Sequence, residues 1–311
     1  MTDGQCDGAL GADWAFERYE ALRPQLPRAE YPASSRMAEN LAGTAEHFDG
    51  YILDAFGVLN RGETAIAGAV ARMAWLRRQG KRLVVLTNAA SYTKPEILAK
   101  YHRLGFNFTA HEVVSSRDVA FAALPRLPRL PAGQVWAAAA AEGDDFSDAP
   151  APGAIAQLAE NPALWDDAGG FLLLSTARWQ KADTARLAAA LKAKPRPLIV
   201  ANPDLVAPRE DGLSLEPGFV AQEVAAQTGA EAQFYGKPFG NAFSAALALM
   251  ADLPRQRIAM VGDTLHTDVL GGAAAGVGTV LITGHGLFRG RDVAPYIARS
   301  GLRPDWIVPT T

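Results

Sequence analysis

Cysteine is nearly absent: Cys6 is the single one among 311 residues. One thiol closes no intramolecular disulfide and builds no zinc cluster, which suits a reducing, cytoplasmic setting. Blocks of basic residues are also missing, and 30 Lys+Arg against 33 Asp+Glu leave a net charge of -3. That balance offers no electrostatic footprint for nucleic acid or an anionic membrane. No apolar run approaches the ~18 residues of a membrane span, and the opening Met1-Thr2-Asp3-Gly4 lacks the basic-then-apolar pattern of a signal peptide. A soluble protein with neither nucleic-acid nor membrane partners is expected, and a homodimer stays open.

What is present is ample apolar material, 49% of the chain. A chain of this length exceeds the roughly 250–300 residues at which one core stops growing, so two domains, or one domain with a large insertion, are expected. Residues 1–47 read as a helical lead-in: Trp14 to Leu26 mixes apolar and charged residues at near-helical spacing before Pro27 and Pro32 interrupt it, and packing against a domain surface is its expected role. From Tyr51 the pattern changes to short apolar runs, each followed by a helix-like stretch, the signature of a parallel sheet with helical crossovers. Tyr51-Ile52-Leu53 ends at Asp54, Leu83 to Leu86 at Thr87-Asn88, and Ile258 to Val261 at Gly262-Asp263, with a further strand from Val277 to Ile282. Between about 120 and 230 a second strand and helix rhythm (Val135-Trp136, Phe171 to Leu174, Asp183 to Leu191, Leu198 to Val200) follows a stiff entry with Pro125, Pro128 and Pro131. The alanine run Ala137 to Ala141 is read as composition alone. The expected architecture is α/β, with a doubly wound parallel-sheet core over 48–120 and 231–311 interrupted by an α/β insertion over 121–230.

In an open parallel sheet, ligands sit outside the carboxyl ends of the strands. Asp54, Thr87-Asn88 and Asp263 converge on that edge from distant parts of the chain. Any one of them alone reads as a helix cap or turn former; their joint occurrence does not.

Four segments in order, Asp54-Ala55-Phe56-Gly57-Val58, Leu86-Thr87-Asn88, Gly236-Lys237-Pro238 and Gly262-Asp263-Thr264-Leu265-His266-Thr267-Asp268, resemble the motifs of the haloacid dehalogenase (HAD) superfamily of phosphohydrolases. Asn202-Pro203-Asp204 resembles the signature of its class IIA cap. The resemblance runs from about Tyr51 to the end and implies a Rossmann-like HAD core with an inserted cap, acting on a small phosphorylated metabolite with Mg²⁺. It implies Asp54 as nucleophile, forming an aspartyl-phosphate that water hydrolyses. Mg²⁺ would be held by Asp54, Asp263 and the backbone carbonyl of Phe56, with Asp268 orienting the metal shell. Lys237 would pair with Asp54 and the phosphoryl group, Thr87 and the amides around Asn88 would take phosphate oxygens, and Asn202 and Asp204 would lie in the cap near its contact with the core. A metal-assisted phosphatase needs the Asp263/Asp268 arrangement, whereas metal-free dehalogenation does not.

One departure stands out. Most phosphatases of the superfamily carry an aspartate two residues after the nucleophile as general acid and base; here the position is Phe56, as in a class IIA subgroup with an aromatic residue there. A phenyl ring moves no proton, so a contribution of about 10²–10⁴-fold is missing or comes from another group. Three outcomes are open: a leaving group acidic enough to need no help, a proton from His266 or a cap carboxylate, or slow turnover, as in a phosphometabolite-binding protein; a phosphotransferase is a further alternative. His266 and His285 themselves read as surface and loop residues. Arg209 and Trp179 are candidates for substrate contact, through a second anionic group and ring stacking respectively.

Overall fold

The computed structural model describes residues 10–127, 129–209 and 212–311, with the side chains of Pro208 and Arg209 outside that description. Seven strands form one sheet in the order Arg36–Met37, Trp306–Val308, Gly278–Ile282, Ile258–Gly262, Gly50–Leu53, Arg82–Thr87 and Val113–Ser115. Every pairing in it is parallel. Successive residues face opposite layers. Tyr51, Leu53, Leu83, Val85, Ala259 and Val261 pack with Met73, Leu76, Ile97 and Tyr101 of the helices Ala69–Arg78 and Lys94–Arg103. Ile52, Val84, Leu86 and Met260 face Phe243 and Ala246 of the helix Gly240–Ala248 on the other side. Burial on both faces is why the strands read as unbroken apolar runs, and the result is the doubly wound α/β core that was expected.

A second sheet, inserted between the second and third motifs, runs Ala232–Phe234, Leu198–Val200, Gly170–Leu173, Trp136–Ala139, Ile155–Gln157, again all parallel. The alanine run that composition left unread supplies its buried inner strand: Ala137 and Ala139 face Phe171 and Leu173, while Ala138 faces the opposite cluster with Trp136 and Phe146. Small side chains there leave room for large aromatic neighbours. Two short strands join sheets across the expected divisions: Ala232–Phe234 pairs with Leu198–Val200, and Arg36–Met37, from the lead-in, extends the core sheet beside Trp306–Val308.

The lead-in helix, Ala12–Leu22, buries Ala12, Ala15 and Phe16 in a cluster with Leu265, Val269, Phe288 and Tyr296 of the core and Val206 of the insertion, and Tyr19 against His266. Phe16 alone contributes roughly 1.5–3 kcal/mol by leaving water. The helix also reaches the insertion directly: Trp14 packs 5.6 Å from Phe219, and Arg18 pairs with Glu223 at 2.9 Å. It therefore lies across the seam between the two sheets. A second joint is Arg117, fully buried, whose guanidinium forks onto Asp144 (2.6 and 2.8 Å) and Asp148 (2.7 and 2.8 Å) of the insertion. Among the described residues no helix is long and apolar enough to cross a membrane.

Candidate active site

The carboxyl ends of three neighbouring core strands carry Asp54, Thr87-Asn88 and Asp263. Asp54 follows Gly50–Leu53, and its backbone N–H continues the sheet by donating to Val261 O at 2.9 Å. Its Oδ1 accepts from the Ala55 N–H at 2.7 Å and meets Lys237 Nζ at 2.5 Å. The same ammonium lies 2.8 Å from Asp268 Oδ1. Asp268 Oδ2 in turn accepts from the backbone N–H groups of Asp263 and Thr264, each at 3.1 Å, so a residue one turn into the following helix pins the loop that carries Asp263. Asp263 is held by Thr264 Oγ1 at 2.8 Å and by the Leu287 N–H at 2.8 Å.

Backbone shape makes this convergence feasible. Gly57 has φ +76°, and a Cβ there would lie 2.6 Å from Asp263 Cβ, so only glycine lets the first motif turn back beside the fourth. Gly236 has φ +136°, and a Cβ would meet Pro203 Cδ at 2.5 Å and Asn88 Oδ1 at 2.7 Å, where the lysine loop abuts the insertion.

Asp54, Asp263 and Asp268 bring carboxylate oxygens within 4.8 Å of one another, all buried. Three carboxylates against one buried lysine leave an excess of negative charge in a low-dielectric pocket. Burial, opposed by Lys237 and reinforced by Asp268 and Asp263, pushes Asp54 well above the ordinary carboxylate range; burial and Asp268 push Asp263 to about 6. Burial works against the Lys237 charge, yet Asp268, Asp54 and Asp204 outweigh it and hold that ammonium protonated. Hard, clustered oxygen donors with surplus charge are the donor set a small divalent cation prefers.

A cavity of about 420 Å³ opens over this cluster. Asp54, Phe56, Thr87, Asn88, Asn202, Asp204 and Asp263 all line it, so the sequence-derived candidates meet in one place; Lys237 and Asp268 are buried behind through their contacts with Asp54 and Asp263. Thr87 Oγ1 accepts from the Ala89 N–H at 3.2 Å. The Asn88 side chain is fully engaged: Oδ1 accepts from Lys237 N at 2.8 Å, and Nδ2 donates to Lys237 O at 2.9 Å and to Asp204 Oδ1 at 2.8 Å. Its carboxamide staples three loops together, and its backbone carbonyl accepts from Ser116 Oγ at 2.8 Å. Asn202 is engaged likewise, accepting from Asp204 N at 3.0 Å and donating to Glu216 Oε2 at 3.1 Å. The Phe56 ring sits in the cavity wall with Lys100 Nζ 5.2 Å from its centroid.

Two side chains fall elsewhere than the sequence suggested. His266 is not a surface residue: it is 1% exposed, stacked on Tyr19 at 5.1 Å, and its Nε2 lies 2.6 Å from Glu20 Oε1, because the lead-in helix covers it. Trp179 donates to Thr184 Oγ1 at 3.0 Å and packs on Trp165, in a cleft of the insertion separate from the Asp54 cavity. The Arg209 side chain lies outside the described residues. His285 bonds Thr310 Oγ1 at 2.8 Å in its loop. Tyr19 and Glu216, which nothing in the sequence singled out, line the cavity. Glu216 had one usable signal: it directly precedes Pro217, the first-turn proline of a helix.

Residues 51–145, the first half of the core with the opening of the insertion, match the family described as haloacid dehalogenase-like hydrolase, and residues 234–310 match a HAD-hydrolase-like family. Glycerol-3-phosphate phosphatase of Gallus gallus is 31% identical over 87% of this chain and 92% of its own length. The chain belongs to the haloacid dehalogenase superfamily. Its inserted sheet is the cap that the class IIA signature Asn202-Pro203-Asp204 led one to expect. An acid sugar phosphatase of Staphylococcus saprophyticus is 26% identical over 76% of this chain and 86% of its own. Among solved structures, a possible sugar phosphatase from Cytophaga hutchinsonii superposes with a TM-score of 0.76 at 24% identity, covering 89% of this chain and 98% of that one. A glycerol phosphate phosphatase from Mycobacterium tuberculosis, solved in complex with magnesium, gives a TM-score of 0.67 at 23% identity, covering 88% and 76%. This HAD protein is a phosphoric monoester hydrolase.

Proposed function

We propose that this phosphatase uses Mg²⁺ to hydrolyse a small sugar or polyol phosphate through an aspartyl-phosphate on Asp54. The observation that carries the reading is the buried bridge from Lys237 to both Asp54 and Asp268, beside Asp263. Asp54, Asp263 and the Phe56 carbonyl would hold the cation, with Asp268 fixing the loop around it. The cation, when bound, offsets repulsion between a carboxylate nucleophile and a phosphate dianion. Asp54 Oδ1 is already held by Ala55 and Lys237, which leaves Oδ2 to attack phosphorus. Lys237 supplies positive charge to the transferring group, and Thr87 with the backbone around Asn88 positions its oxygens.

Cavity size and lining support the substrate class. About 420 Å³ suits a metabolite, and the hydroxyl-bearing residues Tyr19, Ser91, Ser175, Thr176 and Ser214 line it. Hydroxyl-rich walls match a hydroxyl-rich leaving group, in agreement with relatives named for glycerol phosphate and acid sugar phosphates. The test is phosphate release from a panel of sugar and polyol phosphates with and without Mg²⁺. Release should require the metal and fall by more than about 10³-fold in Asp54→Asn. Full activity in Asp54→Ala would remove the nucleophile assignment, and thermal stabilisation by ligand without release would favour a phosphometabolite-binding protein.

A further inference from the structure

The leaving alkoxide needs a proton, and Phe56 puts a phenyl ring where an acid usually stands. The described acids in the cavity wall, besides Asp54 and Asp263, are Asp204, Glu216 and the phenols Tyr19 and Tyr92; neither His266 nor His285 reaches it. Glu216 has both oxygens engaged, Oε1 accepting from Ser214 Oγ at 2.6 Å and Oε2 from Asn202 Nδ2 at 3.1 Å. Tyr19 accepts from the Leu205 N–H at 3.0 Å, and burial beside Asp204 pushes its phenol well above 10, the wrong direction for an acid. Tyr92 is 46% exposed to solvent.

Asp204 differs from all of these. Its Oδ1 accepts from Asn88 Nδ2, while its Oδ2 has no hydrogen-bond partner among the described residues. Its backbone is fixed on both sides, by Asn202 Oδ1 at its own N–H and by the Tyr19 hydroxyl at the next. Pro203 and Leu205 are buried, yet Asp204 keeps accessible surface, and it lines the cavity. A carboxyl anchored at one oxygen and open at the other, one residue-contact from Thr87-Asn88, is placed to exchange a proton with a bound phosphomonoester.

Resting on the phosphatase reading, we infer that Asp204 is the general acid and base that replaces the missing group at position 56. As Asp54 Oδ2 bonds to phosphorus, the bond from phosphorus to the leaving oxygen breaks, and the Asp204 proton moves to that oxygen, releasing an alcohol. The Asp204 carboxylate then takes a proton from the water whose oxygen attacks phosphorus. The bond from phosphorus to Asp54 breaks, phosphate leaves, and both carboxyls return to their starting states. The surroundings suit both roles: burial, with Asp268 and Glu216 adding to it, raises Asp204 to about 7, while Lys237 and the Asn88 bond act against the rise. Tyr19 is the further ionisable group facing it.

The experiment exploits leaving groups that do and do not need a proton. Asp204→Asn keeps an oxygen for Asn88 and loses the acid. With Mg²⁺, kcat/KM on glycerol phosphate should fall by about 10²-fold or more, and on p-nitrophenyl phosphate by less than about tenfold, because a nitrophenolate departs unprotonated. Adding Phe56→Asp to Asp204→Asn should recover much of the alkyl phosphate activity, which a merely structural defect would not allow. Equal losses on both substrates, or no recovery, overturn the proposal. Should the variant melt early, wild-type rates across substituted phenyl phosphates decide: a shallow dependence on leaving-group acidity supports an acid in the site, and a steep one overturns it. If wild type hydrolyses neither ester, the phosphatase reading falls first and this inference with it.

Discussion

Two parallel sheets turn the carboxyl ends of their strands toward one cavity, and they deliver different chemistry to it. The core edge brings Asp54, Thr87 and Asp263, with Asp268 locked behind them and Lys237 reaching in from the loop that follows Ala232–Phe234. The cap edge brings Ala141, Ser175, Thr176 and Ala177 from two strand ends, and Asn202 and Asp204 from a third. One edge concentrates charge where a phosphoryl group reacts; the other is small and hydroxylated, apart from the carboxylates of Asp204 and Glu216. The same topological rule places ligands at both edges, so the division of labour lies in side chains rather than in the fold. Reaction type should follow the core edge and substrate choice the cap edge, and substitutions on either side can break that separation.

The largest effect is expected at Lys237. Lys237→Met keeps the aliphatic stem and removes the one cation that touches Asp54 and Asp268 among the described residues. Transition-state charge then loses a fixed partner, and kcat should fall by about 10²–10³-fold while KM changes little. Steady-state kinetics at saturating Mg²⁺ check this. A raised KM with intact kcat would make the core edge a binding surface and dissolve the comparison.

Next in size is a pH effect on stability without metal. Asp263 and Asp204 are raised from 3.8 to about 6 and about 7, the first because of burial and Asp268, the second because of burial, with Asp268 and Glu216 adding to it. Folded values above unfolded ones mean that the folded state holds the protons more tightly. The stability tied to that preference is present below about pH 4 and is lost as pH rises through 6 and 7. Metal-free protein should therefore melt lower at pH 7.5 than at pH 5, and Mg²⁺ should raise the melting temperature more at the higher pH, where the carboxylates are ionised. Melting temperatures that rise from pH 5 to 7.5 without metal would sink the argument.

Much of the core edge was legible in the sequence because each strand is buried on both faces. A continuous apolar run followed by one polar group marks both the strand and its functional end, as at Leu53-Asp54 and Val261-Gly262-Asp263. The helix Lys94–Arg103 is marked by its own local residues: Thr93 and Glu96 close a capping box before it, and Gly105 takes φ +93° just beyond its end. The cap was harder. Its inner strand is written in alanines, whose burial depends on aromatic neighbours far along the chain. The seam was hidden altogether: Tyr19 reaches the cavity and His266 becomes buried only because a helix from the lead-in docks across both sheets. Arg117 shows the same limit, since its partners Asp144 and Asp148 lie 27 and 31 residues away and no local pattern links them.

The smallest effect tests the cap edge itself. Ala141 lines the cavity two residues beyond the strand Trp136–Ala139, and its backbone carbonyl is tied to Gln157 Nε2 at 2.8 Å, so a larger side chain there projects from a fixed point. Ala141→Leu should raise KM about tenfold for sugar phosphates of several carbons, the scale of discrimination that a few methylenes supply, with kcat reduced less than about twofold. Glycerol phosphate, being shorter, should be affected less, so the ratio of kcat/KM values for the two substrates should shift toward the smaller one. A fall in kcat of the same size for both would mean that the cap edge acts on the reacting groups rather than on what is admitted to them. In that case Asp204 would no longer be the exception on its side of the cavity.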